Sequence, residues 1–85
     1  MAKLKITRAD GSVSDHQITP KIEWAFELYA KKGFHKAFID DEKQSDVYWL
    51  AWECLRTSGQ TVPMFGAEFL ETLAKVEVLD DDPSQ

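Results

Sequence analysis

The chain has 85 residues, of which 44% are hydrophobic, and a net charge of −5. A chain of this length builds one hydrophobic core, so we expect a single domain. Its one cysteine, Cys54, excludes an internal disulfide, and no apolar run approaches the roughly 20 residues that span a bilayer. The negative charge argues against nucleic-acid binding, which needs clustered lysine and arginine.

The charge is unevenly distributed along the chain. Residues 1–36 carry a net charge of +3 and residues 37–85 a net charge of −8. This asymmetry leads to the hypothesis that copies of the chain self-associate head to tail, basic part on acidic part.

The N-terminal segment has the pattern of a β-hairpin. Polar and apolar residues alternate from Lys3 to Thr7 and again, more weakly, from Val13 to Ile18, and turn-forming residues 9–12 lie between these runs. We therefore expect a hairpin over residues 2–18.

A first helix is predicted to begin at Thr19-Pro20, where a capping residue precedes a proline at the first helical position. Gly33 is expected to end it in the left-handed conformation. The apolar stripe of this helix, which Trp24 and Leu28 are expected to widen, consists of Ile22, Ala25, Phe26 and Tyr29.

A second helix is predicted from about residue 43 to Ser58, after a short connector at residues 34–39. The acidic triplet Asp40-Asp41-Glu42 favours the start of this helix. Trp49 is expected to point away from the main apolar face, which consists of Val47, Leu50, Ala51 and Cys54.

A third helix is predicted after Pro63, with an apolar stripe at Phe65, Phe69, Leu73 and Val76. Residues 80–85 contain no apolar side chain, so we expect a disordered acidic tail there. The predicted fold is mainly α: about three helices packed in a small bundle, with the N-terminal β-hairpin, in one domain spanning residues 1–79.

Residues of the types that commonly serve in catalysis or metal binding are few, and their spacing is unfavourable. His16 and His35 lack the spacing of a metal site, and Cys54 lies on an apolar helix face, where burial suppresses the thiolate. The acidic triplet at 40–42 lacks the other ligands of a calcium or magnesium site. We therefore expect no catalytic residue, no metal, no cofactor and no enzymatic activity.

Aromatic residues are abundant, with three tryptophans, five phenylalanines and two tyrosines. Those in the run Tyr48-Trp49-Leu50-Ala51-Trp52 radiate around their helix, so we expect some ring surface to remain outside one small core. Exposed tryptophan and tyrosine are favoured anchors of protein interfaces. The candidate protein-binding residues are Trp24, Phe26, Tyr48, Trp49, Trp52 and Phe69. The sequence does not show which of these rings belong to the core and which to the surface.

Three segments of the chain have a distinctive pattern of apolar and aromatic residues: residues 19–27, residues 47–56, which contain the sequence WLAW at 49–52, and residues 69–79, which lead into an Asp-Pro tail. Together they resemble the small tail assembly chaperones of long-tailed bacteriophages. The likeness is one of apolar and aromatic positions, and it spans roughly residues 19–83.

The resemblance implies a noncatalytic chaperone in the host cytoplasm that is absent from the mature virion. Its client would be the hydrophobic tape measure protein, kept soluble while major tail tube protein gathers around it. Members of that family are often also made in a longer, frameshifted form.

Several other functions fit the same sequence. A head-tail or tail connector subunit would form stable rings and occur in virions. A small regulatory protein-interaction module is disfavoured as a DNA reader because the second and third predicted helices are acidic. For an enzyme accessory subunit, the sequence offers no discriminating feature.

Overall fold

The computed structural model describes residues 2–36 and 43–80, in which helices pack against one face of an antiparallel sheet. The elements in chain order are β1 (Ala2–Arg8), β2 (Val13–Gln17), α1 (Pro20–Ala30), α2 (Phe34–Lys36), α3 (Gln44–Thr57), α4 (Ala67–Leu70) and β3 (Leu73–Asp80).

The predicted N-terminal hairpin is present, formed by antiparallel pairing of β1 with β2. In its turn the Arg8 amide donates to the Ser12 carbonyl at 2.8 Å, and Gly11 has a φ of 93°, a conformation that glycine adopts without strain. The Asp10 carboxylate accepts hydrogen bonds from the amide and hydroxyl of Ser12 at 2.9 and 2.7 Å, which lowers the pKa of Asp10.

The prediction of a mainly helical bundle is wrong, because the C-terminal segment forms a strand. The helix expected through Phe65 and Val76 is reduced to the four residues of α4, and β3 pairs with β1 to give the sheet order β2-β1-β3. The protein is therefore a small mixed α/β domain with a three-stranded antiparallel sheet in the described residues.

The reason for this error lies in the alternation after Leu73. Lys75 and Glu77 alternate with the β-branched Val76 and Val78, which suits a strand, although Leu73 and Val76 alone also match helical spacing. An apolar pattern this short fits both the helical period of about 3.6 residues and the strand period of about 2. Pairing with β1, from a part of the chain about 70 residues earlier, decides in favour of the strand.

The hydrophobic core lies between the sheet and the helices. Leu4 and Ile6 in the central strand β1 are fully buried, whereas Lys3 and Lys5, which point to the opposite face, are not. Other buried residues that share this core are Ile18, Ile22, Phe26, Trp49, Leu50, Ala51, Cys54, Leu55 and Phe69.

The second predicted helix is confirmed as α3, and its polar residues make two ion pairs. Asp46, which is 5% exposed, lies 3.3 Å from Lys32 and so connects the start of α3 to the segment after α1. Glu53 pairs with Arg56 at 2.9 Å, and the Arg56 guanidinium lies 5.3 Å from the centre of the Trp52 ring. Both buried carboxylates of α3 thus have a cation beside them, which offsets the cost of burying their charge.

The end of α1 differs from the expectation in one detail. Lys31, with φ 60°, takes the left-handed position that was predicted for Gly33, and its amide donates to the Glu27 carbonyl at 2.8 Å. The Phe34 amide donates to the Glu27 carboxylate at 2.9 Å, and the Phe34 ring meets Phe26 edge-on at 5.7 Å. These contacts fold the chain back over the last turn of α1, two residues earlier than expected.

Some predictions fall partly or wholly outside the described residues. The acidic triplet at 40–42 and the later part of the connector at 34–39 lie there, while α2 occupies Phe34–Lys36. Asp80 belongs to β3 and not to the predicted tail, and residues 81–85 lie outside the described part.

We predict that truncating Phe69 will destabilise the fold strongly. Phe69 is fully buried on the short helix α4, so Phe69→Ala should lower the free energy of unfolding by about 3–5 kcal/mol in urea denaturation. Met64, which is 82% exposed, provides the control, because Met64→Ala should change that free energy by less than about 0.5 kcal/mol. Equal effects of the two substitutions would contradict the described core.

Candidate functional site

Part of the exposed apolar surface lies on the helix α1. The Thr19 hydroxyl accepts from the Ile22 amide at 3.4 Å and Pro20 occupies the first turn, so this helix begins where it was predicted. Ile22 and Phe26, one turn apart, are buried against the core. The opposite face of α1 is consequently directed outward.

Two large apolar side chains lie on that outward face. Trp24 is 64% exposed and Leu28, one turn later, is 59% exposed. Trp24 is two positions from both Ile22 and Phe26, which places it about 200° around the helix axis from each. The prediction that Trp24 and Leu28 widen the buried stripe is therefore wrong. They form a separate, exposed stripe.

Lysines lie at both ends of this exposed stripe. Lys21 precedes Trp24 by three positions and so shares its helix face, and Lys31 follows Leu28 by three, directly after the last residue of α1. Both lysines are exposed. We call Lys21, Trp24, Leu28 and Lys31 the α1 outer face; from its first residue to its last it is about 15 Å long.

The other rings form a connected cluster that extends from the core to the surface. Tyr29, 43% exposed, stacks on Trp49 with 4.5 Å between ring centres and 9° between planes. Trp49 in turn lies 6.0 Å from Phe26 and 5.9 Å from Trp52. Trp49 is only 9% exposed, so the expectation that it points away from the core is wrong.

The cluster continues beyond Trp52 towards α4. Phe65 lies 6.2 Å from both the Trp52 and the Phe69 ring centres, and the Trp52 indole N–H donates to the Pro63 carbonyl at 2.8 Å. Since a partly buried indole needs such an acceptor, Trp52 is held in place by this loop. The cluster is therefore part of the protein's own packing.

Tyr48 lies apart from these rings. It is half-buried and lines a groove of about 120 Å³ beside the start of β3, together with Leu70, Leu73 and Ala74. Leu70 is 37% exposed, so this groove also presents apolar surface.

The structure thus separates the six candidate residues that the sequence left together. Phe26 and Phe69 are fully buried, Trp49 is buried, and Tyr48 and Trp52 are half-buried. Of the six, Trp24 is the one that is largely exposed. Leu28, which was not among the six candidates, is exposed beside Trp24. Its spacing of four residues from Trp24 and of two from Phe26 could have indicated that it lies on the outward face of α1.

A second groove of about 330 Å³ lies between the hairpin, α1 and the end of α3. Burial lowers the pKa of His16 there, partly opposed by the charge of Asp15. The hydroxyls of Thr57 and Ser58 both donate to backbone carbonyls of α3 at 2.8 Å, so both are engaged at the C-terminal end of that helix. The residues lining this groove are His16, Gln17, Thr19, Lys21, Ile22, Cys54, Thr57 and Ser58.

Cys54 is buried, and its thiol is not poised for nucleophilic chemistry. Burial, with a smaller contribution from the neighbouring Glu53 carboxylate, raises the pKa of Cys54 to about 12. At neutral pH the group is a thiol, which is a weak nucleophile. Within residues 2–36 and 43–80, no three His, Cys, Asp or Glu side chains form a group that could hold a metal ion.

Comparisons with family models, with curated proteins and with solved structures found no match to this chain. In the described part of the chain, no helix is long and apolar enough to cross a membrane.

We predict that Cys54 reacts with thiol reagents only when the protein unfolds. At pH 8 the native thiol is almost entirely protonated and is 2% exposed, so labelling by a disulfide reagent should be at least tenfold slower than in urea. Absorbance of the released thiolate measures both rates. Equal rates would contradict the burial of Cys54.

Proposed function

We propose that this protein is a noncatalytic chaperone of phage tail assembly that binds an apolar helical segment of the tape measure protein. The observation that carries the proposal is the exposure of Trp24 and Leu28 on a helix whose other face is buried. The resemblance of residues 19–27, 47–56 and 69–79 to tail assembly chaperones supports the choice of client.

The α1 outer face suits a helical client. A client helix lying along α1 would cover Trp24 and Leu28 with its own apolar stripe, which contributes on the order of 3 kcal/mol from apolar burial. Lys21 and Lys31 would then lie beside acidic residues that flank the client's apolar stripe. The length of the face matches about three turns of such a helix.

The rigidity of the site also supports binding. The buried side of α1 packs through Ile22 and Phe26, and Tyr29 is stacked on Trp49, so the helix is held in one orientation. A preorganised surface loses little conformational entropy when a client docks. On this proposal the protein acts in the host cytoplasm, before tail tube protein assembles on the client, and it is absent from the mature virion.

We predict that the double variant Trp24→Gln, Leu28→Gln will fold but lose chaperone activity. Glutamine favours helices, and both native side chains are largely exposed, so the free energy of unfolding should change by less than about 1 kcal/mol. Co-expressed with the tape measure protein of the same phage, the double variant should leave that client in the pellet after centrifugation. The wild-type protein should keep it in the supernatant.

Met64→Gln is the matched control, since Met64 is exposed and apolar but does not belong to the α1 outer face. This variant should keep the client in the supernatant. If the double variant is as effective as the wild type, the α1 outer face is not the client site. If mass spectrometry finds the protein in purified virions at the copy number of a ring, it is a connector subunit instead.

A further inference from the structure

We infer that β3 pairs with β3 of a second copy of this chain, antiparallel and about a two-fold axis at Val76. This dimer would join two three-stranded sheets into one sheet of six strands. The inference concerns self-association and does not depend on the identity of any client.

The outer side of β3 is available for such pairing. In the sheet order β2-β1-β3, the strand β3 has β1 on one side, and no further strand of residues 2–36 and 43–80 lies on the other. An edge strand presents backbone N–H and C=O groups that can pair with another chain. β3 is eight residues long, and Val78 and Leu79 are 40% and 37% exposed.

Charge favours an axis at Val76 over an axis at either neighbouring residue. With the axis at Val76, Lys75 of one copy stands opposite Glu77 of the other, and the same pair forms twice. An axis at Lys75 or at Glu77 would instead place like charges opposite each other, which destabilises a sheet.

The sheet already contains the beginning of a matching charge ladder. Within one copy Asp15 is opposite Lys5, and Lys5 is opposite Glu77. Lys75 of the second copy would extend this row across the dimer, so that charges alternate in sign over four strands. In the isolated chain Lys75 and Glu77 of the same strand lie 3.5 Å apart, and both are partly exposed.

On the helix-facing side of β3, apolar residues of the two copies would also meet. The same register places Val78 of the second copy opposite Ala74. Ala74 is exposed and borders the groove that Tyr48, Leu70 and Leu73 also line. A register shift at Thr7–Arg8 leaves Ala74 without an opposite residue in β1. The partly exposed Val78 of one copy would thus cover this apolar groove in the other.

The edge strand β2 is a poorer candidate for self-pairing. It is five residues long and, apart from Val13, contains polar side chains. An axis at its central residue, Asp15, would place two carboxylates opposite each other. The dimer through β3 is isologous, so it closes on itself, unlike the head-to-tail stacking suggested by the overall charge asymmetry.

Cysteine cross-linking tests the axis directly. Opposite residues in antiparallel strands have Cα atoms about 4.5–5.5 Å apart, within the range of a disulfide, so Val76→Cys should form a covalent dimer on mild oxidation. Val78→Cys is the matched control on the same face of β3: its two copies would be about 13 Å apart and should not cross-link. The wild-type chain should not cross-link either, because Cys54 is buried.

Charge complementation tests the register by a second route. Lys75→Glu and Glu77→Lys should each weaken the dimer about tenfold in sedimentation equilibrium, because both symmetric pairs become repulsive. An equal mixture of the two variants should form heterodimers at wild-type strength, since position 75 of each copy then faces a side chain of opposite charge at position 77 of the other. Circular dichroism of each variant checks that it is folded.

A wild-type chain that stays monomeric at every concentration would overturn the inference. So would a dimer in which Val78→Cys cross-links and Val76→Cys does not, or a mixture of charge variants that forms no heterodimers. None of these outcomes bears on whether Trp24 and Leu28 bind a client.

Discussion

Antiparallel pairing of β1 with β3 holds this fold together. It joins the first and the last strand of the described residues, with Ala2 opposite Asp80 and Ile6 opposite Val76. This pairing places β1 in the centre of the sheet, so that Leu4 and Ile6 have strands on both sides and helices above them. An isolated hairpin has too little apolar surface to be stable, and β3 supplies the third strand that a persistent sheet needs.

The sheet in turn determines how the aromatic side chains are divided between core and surface. Phe26, Trp49 and Phe69 pack against the helix-facing side of the sheet or against one another, and Tyr29, Trp52 and Phe65 surround them. Because α1 presents Ile22 and Phe26 to this core, helix geometry forces Trp24 to the opposite side. The exposure of Trp24 is thus a direct consequence of how α1 packs.

The two proposed surfaces lie on different elements, so one need not block the other. The α1 outer face would hold a client, and the edge of β3 would hold a second copy. A two-fold axis at Val76, perpendicular to the sheet, keeps the helices of both copies on the same face of the six-stranded sheet. Two α1 helices would then be available to one elongated client, and binding at the first site would raise the effective concentration at the second.

The local elements of this protein could be predicted from the amino-acid sequence. The Thr19-Pro20 start of α1, the hairpin turn at Asp10 and Gly11, and the extent of α3 follow from capping, turn chemistry and apolar periodicity, which act over a few residues. The abundance of aromatic rings was likewise visible in the composition. It predicted that ring surface would remain outside the core without showing which ring.

The fold class and the division of side chains between core and surface depend on contacts between distant parts of the chain. Whether Leu73–Asp80 is helix or strand depends on β1, nearly the whole chain length away, since its short apolar pattern fits both periods. The burial of Trp49 and the exposure of Trp24 depend on which face of each helix meets the sheet. Local propensity carries no information about such distant partners, so the fold class and the location of the candidate surface could be settled only once the strands were paired.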